Sequence, residues 1–442
     1  GIAALAPKVL AGFDVDQFLT WYYQAGTPLV TINRYWDSVR GILTIRVSQK
    51  TSPTFGQASK EPVVIPMTVA LVNEEGRYGS EQMLVVDKAE QEFIFDQLLS
   101  TKKPPILSVF RRFSAPVNWK IDLSPEESLQ LLIHDDDPFA RWEAGQVLLR
   151  QVILARADSM QNNQLEQSLV FVIERLIKDF DSEDPFVLAM LLTMPGLSEL
   201  EAFQEVADPL GLYRARISFL SFLGEKLSVS LHDLLKANSS AVGVEWPKGQ
   251  GQRKLIGLAW SWLIAAGDKS IKREALQAVK GNSMTMSRAA LSALQPIECN
   301  EREEALSVFY DRWKDRSLIL DAWFGLQAST PRVNGLEMIR KLLGHPRFDF
   351  MAPNAVRAVL GGLAANPPVF HAIDGSGYRF IADQLLVVDR RNPITASRIA
   401  KVFSRWRSYG PSQRKAITKE VDRLANSEIS SNTREVVDLI RA

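Results

Sequence analysis

Apolar and polar residues alternate along the first part of the chain. Two of the alternating runs repeat every second residue, namely Leu43, Ile45 and Val47, and then Ile65, Met67, Val69 and Leu71. Side chains with this period lie on one face of a β-strand. Turn-forming residues such as Asn73-Glu74-Glu75-Gly76 separate the runs at short intervals. Residues 28–120 therefore predict an Ig-like β-sandwich of about seven antiparallel strands.

The periodicity becomes helical after residue 121 and stays helical to the end of the chain. Ser124-Pro125-Glu126-Glu127 has the composition of a helix start, with a serine cap, a proline in the first turn and a glutamate that closes a capping box. Roughly fifteen or more amphipathic helix patterns then follow one another, and short polar turns join them. This succession favours a superhelical stack of helix pairs over a bundle with one central core. Residues 121–442 thus predict a large all-α, solenoid-like domain.

The fold class predicted for the whole chain is a multidomain β + α protein, with the Ig-like β-sandwich first and the superhelical domain second. A chain of 442 residues is longer than one hydrophobic core usually organises.

Residues 1–27 stand apart from both domains. Phe18, Trp21 and Tyr22 recur at helical spacing there, before Gly26. We interpret this segment as the terminal helix and linker of a separate domain.

The charge balance of the chain gives no reason to expect a special partner, and its cysteine content is compatible with a cytoplasmic protein. The 52 basic residues nearly balance the 51 acidic ones, and no stretch reaches the ~18 apolar residues of a membrane span. We expect neither nucleic acid nor membrane as a partner. Arg405-Trp406-Arg407 mixes basic and aromatic residues, but its tryptophan continues a buried stripe, which favours a solvated helix face. The single cysteine, Cys299, cannot form an internal disulfide, and we expect a cytoplasmic protein.

Residues that could carry chemistry are sparse. The four histidines are too widely spaced for a local zinc motif, so we expect no metal ligands and no catalytic residue in this chain. The run from His134 to Asp137 is more typical of a polar turn that caps the next helix than of a metal site. His371, Asp374 and Ser376 offer the residue types of a catalytic triad, but closeness in sequence does not assemble one.

Several short motifs resemble, in their order along the chain, the C-terminal half of the M1 family of zinc aminopeptidases, in its aminopeptidase N branch. Each motif is short, but together they cover essentially the whole chain. They are Trp21-Tyr22-Tyr23-Gln24-Ala25-Gly26-Thr27-Pro28, Phe113-Ser114-Ala115-Pro116-Val117, Arg141-Trp142-Glu143-Ala144, Trp323-Phe324, Leu326-Gln327-Ala328, Asn366-Pro367, the stretch 371–378, Arg391-Asn392-Pro393 and Ala396-Ser397-Arg398. The family's HExxH zinc helix is not present in this sequence.

The resemblance implies a non-catalytic part of a zinc aminopeptidase, which removes N-terminal residues from peptides. This part would cap the catalytic domain of the same polypeptide, form the substrate chamber and control the access of peptides. Zinc would be the cofactor of the full-length parent and would not bind this chain. Two alternatives stay open: a free-standing helical-repeat scaffold that binds proteins on a concave face, and an unrecognised hydrolase that uses His371 or Cys299.

Arg357 and Arg398 are the candidate substrate-chamber residues, because the resemblance aligns them with arginines that face the chamber in the family. On an ideal helix, Arg357 lies about 110° from the centre of the apolar arc of Val356, Val359, Leu360 and Leu363. Arg398 lies about 90° from the centre of a second arc, formed by Ile399, Val402, Phe403 and Trp406. Both arginines therefore flank buried stripes, where structural arginines also occur.

Overall fold

The computed structural model describes residues 14–96, 98, 104–160, 162–244, 247–332 and 334–442. The chain divides into two compact units, Gly1–Leu148 and Leu149–Ala442. Each unit is described by itself below.

Strands dominate the first unit. They are β1 (Leu29–Asp37), β2 (Ile42–Lys50), β3 (Ile65–Asn73), β4 (Gly76–Val86), β5 (Glu90–Phe95), β6 (Ile106–Ser108) and β7 (Asn118–Ile121). One sheet has the order β5-β2-β1-β7 and the other has the order β4-β3-β6. The predicted sandwich is confirmed, with one difference: β1 and β7 pair in parallel. That pairing joins residues almost ninety positions apart, and local alternation holds no information about it.

The predicted alternation places the apolar side chains of the strands in the core of the sandwich. Ile45 and Val47 on β2 and Met67 and Val69 on β3 are all 0% exposed. A helix, α1 (Val15–Tyr23), precedes the strands, as the spacing of its aromatic residues predicts. Residues 1–13 of the predicted terminal segment lie outside the described residues.

A buried arginine, Arg111, follows β6 and pairs with three carboxylates. Arg111 is 2% exposed. Its Nε lies 2.8 Å from Glu81 Oε2, its Nη1 lies 2.5 Å from Asp135 Oδ1, and its Nη2 donates to Asp136. Phe110 next to it has a φ of 50°, a left-handed backbone that non-glycine residues rarely adopt. Three carboxylates and the strained turn thus surround a single guanidinium group.

Two helices of the first unit follow the sandwich, α2 (Pro125–His134) and α3 (Pro138–Ala157), and α3 continues into the second unit. The predicted capping box is present, because Ser124 Oγ accepts from Glu127 N at 3.2 Å and Glu127 Oε2 accepts from Ser124 N at 2.8 Å. Asp137 Oδ1 accepts from Ala140 N at 2.8 Å, so the aspartate run caps the next helix as predicted.

Helices dominate the second unit, and the predicted β-sandwich plus large helical domain is confirmed. The helices are α4 (Asn163–Lys178), α5 (Pro185–Leu191), α6 (Leu197–Glu201), α7 (Pro209–Lys226), α8 (Ser228–Asn238), α9 (Gln250–Ala265), α10 (Lys269–Lys280), α11 (Met284–Leu294), α12 (Asn300–Trp313), α13 (Ser317–Ala328), α14 (Gly335–Leu343), α15 (Pro353–Val356), α16 (Gly362–Ala364), α17 (Pro367–Phe370), α18 (Ser376–Asp389), α19 (Pro393–Ala400), α20 (Pro411–Ala425) and α21 (Ser431–Arg441). A π-helical turn, Arg357–Gly361, lies between α15 and α16.

Parts of the helical unit that are far apart in sequence are hydrogen-bonded to each other. Ala207 N, just before α7, donates to Ser408 O at 2.8 Å. Arg405 Nη1 lies 2.9 Å from Glu201 Oε2 at the end of α6. The segment around residue 405 therefore packs back on the helices around residue 205. Among the described residues, no helix is both long and apolar enough to cross a membrane.

Candidate functional site

Arg357, the first predicted chamber residue, is exposed and bonded to its own turn. It opens the π-helical turn Arg357–Gly361. Its Nε donates to Pro353 O at 3.3 Å, and its Nη2 donates to Asn354 Oδ1. The four apolar residues of the predicted arc are buried. The angle expected for an ideal α-helix does not apply, however, because a π-turn has more residues per turn.

Arg398, the second predicted chamber residue, is exposed in the last turn of α19. Within the described part of the chain its guanidinium has no hydrogen-bond or ion-pair partner. The predicted continuous helix through Trp406 is wrong, since α19 ends at Ala400 and 3-10 turns follow at Lys401–Phe403 and Trp406–Ser408. Ile399 and Phe403 are nevertheless buried, as the apolar pattern predicts.

The structure brings the two arginines onto neighbouring elements. The turn Arg357–Gly361 packs against α19, which carries Arg398. Val359 from the turn and Ile399 from α19 belong to the same buried apolar cluster. Two positively charged side chains thus project from segments that share one core, and an exposed guanidinium without a partner is suited to bind a carboxylate.

The triad suggested by His371, Asp374 and Ser376 is not assembled. His371 is 5% exposed, and its Nδ1 lies 2.7 Å from the phenol oxygen of Tyr378. Asp374 Oδ1 instead accepts from the backbone N of Ser376 at 3.0 Å, within its own turn. The hydrolase hypothesis therefore finds no support at His371. Cys299 precedes α12 and is half-buried.

His371 belongs to a buried polar cluster. The ring of Tyr409 lies 5.0 Å from the His371 ring, centroid to centroid. Burial raises the pKa of Tyr409 to about 12, and the charge of Glu201 acts in the same direction. Burial also raises the pKa of Glu201, which Arg405 opposes. Burial lowers the pKa of His371 to about 4, with Asp208 opposing the shift. The neutral imidazole is thus the folded form near neutral pH.

We expect His371 to make the helical unit less stable in mild acid. Between the ordinary histidine pKa of 6.5 and the folded value of about 4, the unfolded chain binds a proton that the folded chain does not. The free energy of unfolding should therefore fall by about 3 kcal/mol between pH 6.5 and 4 and be unaffected by this group above pH 6.5.

Urea unfolding at pH 7 and pH 4.5 measures this effect. His371→Gln keeps an acceptor for Tyr378 but does not titrate, so between these two pH values it should lose about 2.5 kcal/mol of the pH dependence. An equal pH dependence in the variant and the parent chain would contradict the expectation.

Three further side chains, those of Trp406, Arg407 and His232, are bonded to other parts of the chain. Trp406 Nε1 donates to Ile440 O at 2.9 Å, and Arg407 Nη2 donates to Arg441 O at 3.0 Å. His232 Nε2 lies 2.9 Å from Asp268 Oδ2. No group of three or more His, Cys, Asp or Glu residues that could hold a metal ion occurs in the described ranges.

A comparison with known protein families shows which family this chain belongs to. The family described as "Domain of unknown function (DUF3458_C) ARM repeats" matches residues 125–442. The chain belongs to this family. A second family, described as "Domain of unknown function (DUF3458) Ig-like fold", matches residues 26–122.

Relatives of the DUF3458 chain include aminopeptidase N from two bacteria. The Caulobacter vibrioides protein is 33% identical over 446 residues, which cover 96% of this chain and 50% of the relative. The Escherichia coli protein is 30% identical over 428 residues, which cover 94% of this chain and 49% of the relative. The chain thus spans about half the length of the curated relatives it matches.

A solved structure of an aminopeptidase is also similar to this chain. The crystal structure of Legionella pneumophila aminopeptidase A in complex with aspartic acid matches with a TM-score of 0.85 and 26% identity. The match covers 98% of this chain and 50% of the other. The resemblance predicted from the sequence motifs, to the C-terminal half of aminopeptidase N, is therefore confirmed.

Proposed function

We propose that this chain is the non-catalytic C-terminal part of a zinc aminopeptidase, which caps the catalytic domain and forms the substrate chamber. The observation that carries the proposal is the match of 96% of the chain to half of an aminopeptidase N. The partners would be the catalytic domain of the same polypeptide and peptide substrates. Zinc and the hydrolytic residues would belong to the catalytic domain. A cytoplasmic location remains a prediction.

The helical unit would control access to the chamber. A peptide chain can pass through a narrow entrance, whereas a folded domain cannot. Arg357 and Arg398 would then attract the C-terminal carboxylate of a peptide through charge-assisted hydrogen bonds. The free guanidinium of Arg398 suits this role better than that of Arg357, which already donates to Asn354.

The test begins with the gene. We expect the reading frame upstream of Gly1 to encode an HExxH helix, and the full-length product to release alanine from alanyl arylamides. Changing the glutamate of that motif to glutamine is the matched control, since it removes the general base and leaves this chain untouched.

The proposal also predicts a difference between peptides and folded proteins. The full-length enzyme should trim short peptides and leave a folded protein with the same N-terminal sequence intact. A reading frame without a zinc helix, or a full-length product without aminopeptidase activity, would overturn the proposal and favour the protein-binding scaffold.

A further inference from the structure

A groove with a volume of about 570 Å³ lies on the helical unit, where α5, α9 and α11 meet. Helix α9 packs against both of the other helices. It contributes Lys254 and Leu258 to the wall of the groove, while Phe186 comes from α5 and Ala289 from α11. Small-molecule sites have volumes of about 300 to 1,000 Å³. The groove therefore has the size of a site for a small organic ligand.

Two glycines of α9 fix the helices around the groove. A Cβ at Gly251 would lie 2.4 Å from the backbone N of Phe186 on α5. A Cβ at Gly257 would lie 3.1 Å from the Cβ of Ala289 on α11. The helices pack so closely at these points that a larger residue would push them apart. The wall of the groove is thus built on packed helices, and its shape exists before a ligand arrives.

Lys254 brings a positive charge to the wall of the groove. Its side chain is exposed, and its Nζ lies 4.9 Å from the centroid of the Phe186 ring. No carboxylate of the described residues forms an ion pair with it. Asp184, just before α5, already accepts from the backbone N of Phe186 at 2.7 Å and of Val187 at 3.2 Å. A molecule in the groove can therefore reach an ammonium group that the protein leaves unpaired.

Arg253 adds a second positive charge beside Lys254. It lines the groove and is 4% exposed. Its Nη1 donates to Ala241 O at 3.2 Å and to Val244 O at 3.0 Å. Both acceptors are neutral carbonyls, and the described residues that line the groove include no acidic side chain. A cleft whose charges all have one sign concentrates ions of the opposite sign. The groove therefore favours an anion.

We infer that the groove where α5, α9 and α11 meet binds a small carboxylate with an apolar chain, the chemistry of a medium-chain fatty acid. The carboxylate pairs with the ammonium of Lys254. The apolar chain lies against Leu258, Ala289 and the Phe186 ring, which is 46% exposed in the free protein. Covering these apolar surfaces favours a hydrocarbon over a purely polar anion. The site goes beyond the proposed role in peptide access and does not depend on it.

The test titrates the 442-residue chain, labelled with ¹³C in its alanine methyl groups, and follows Ala289 in the wall of the groove. Hexanoate, 1-hexanol and hexylamine are the probes, because they share one chain length and differ in charge. We expect hexanoate to shift the Ala289 resonance saturably, with a dissociation constant on the order of 1 mM. The alcohol should bind more weakly and the amine not at all. The methyl group of Ala396, buried on α19, should not shift.

Lys254→Gln removes the charge from the wall and keeps a side chain of similar length. We expect its dissociation constant for hexanoate to rise about fivefold, the contribution of one ion pair that is partly open to water. Its dissociation constant for 1-hexanol should not change. Lys269→Gln is the matched control, because Lys269 is exposed on α10, does not line the groove, and its loss changes the net charge equally.

Three results would overturn the inference. They are no saturable shift of Ala289 with hexanoate up to about 10 mM, equal dissociation constants for hexanoate and 1-hexanol, or equal weakening in Lys254→Gln and Lys269→Gln. A simultaneous shift of Ala396 would mean that the probe binds the chain without specificity and would also count against the site. The three probes act on the unmodified chain, so their comparison holds even if a variant fails to fold.

Discussion

Replacing Arg111 with methionine should lower the free energy of unfolding of the first unit by about 3 to 5 kcal/mol. The Asp135 side chain is 0% exposed and pairs with the buried guanidinium. Asp135 Oδ2 has no partner among the described residues. Removing the arginine leaves a buried carboxylate without its counter-ion, next to Glu81 and Asp136. Such a loss costs far more than the pair itself contributes, because the remaining charge stays desolvated.

The matched control for Arg111→Met is Arg46→Met. Arg46 pairs with Glu92 on the exposed face of the sheet, where the two side chains are 53% and 50% exposed. Exposed pairs contribute about 0 to 1 kcal/mol. Urea unfolding followed by tryptophan fluorescence compares the two variants. Similar small losses in both would show that the buried cluster at Arg111 is not what stabilises the first unit.

Replacing Arg398 with alanine in the full-length enzyme should raise KM tenfold or more for tripeptides with a free C-terminal carboxylate. A hydrogen bond to a charged group contributes about 1.5 to 3 kcal/mol, which corresponds to such a factor. An alanyl arylamide has no carboxylate, so its KM should change little. The variant separates binding of the carboxylate from general access to the chamber.

The free energy of unfolding of the Arg398→Ala variant provides the control for this prediction. Since its guanidinium has no partner in the described part of the chain, alanine should change the free energy of unfolding by less than about 0.5 kcal/mol. Arg398→Lys keeps the charge and should recover part of the affinity. Equal KM changes for both substrates, or a loss explained by a lower unfolding midpoint, would make Arg398 a scaffold residue.

The parts of the fold that depend on neighbouring residues were predictable from the sequence. Alternation along Leu43, Ile45 and Val47 gave a strand with one buried face, because successive side chains must point to opposite faces. Ser124 and Glu127 gave a helix start, because a capping box needs only four consecutive residues. The positions of Arg357 and Arg398 came from the resemblance and not from periodicity.

The parts that depend on distant residues were not predictable in this way. The π-helical turn at Arg357–Gly361 and the end of α19 at Ala400 changed the angles expected for an ideal helix. No local pattern distinguishes Val356 or Ile399 in an α-helix from the same residue beside a π- or 3-10 turn. Arg332 shares Glu303 Oε1 with Arg302, which lies thirty residues earlier in the chain, and no local pattern shows that the two arginines meet at one carboxylate.

The hydrogen bond from Ala207 N to Ser408 O has a consequence for how the helical unit folds. In an open array of repeats each repeat contacts only its neighbours, so folding can start anywhere and spread. Here the segment near residue 405 contacts α6, about two hundred residues earlier. Contacts over such a distance must overcome a large loop-closure entropy and slow the search for the native state. Helices α6 and α7 therefore complete their packing only after the segment near residue 405 has been synthesised.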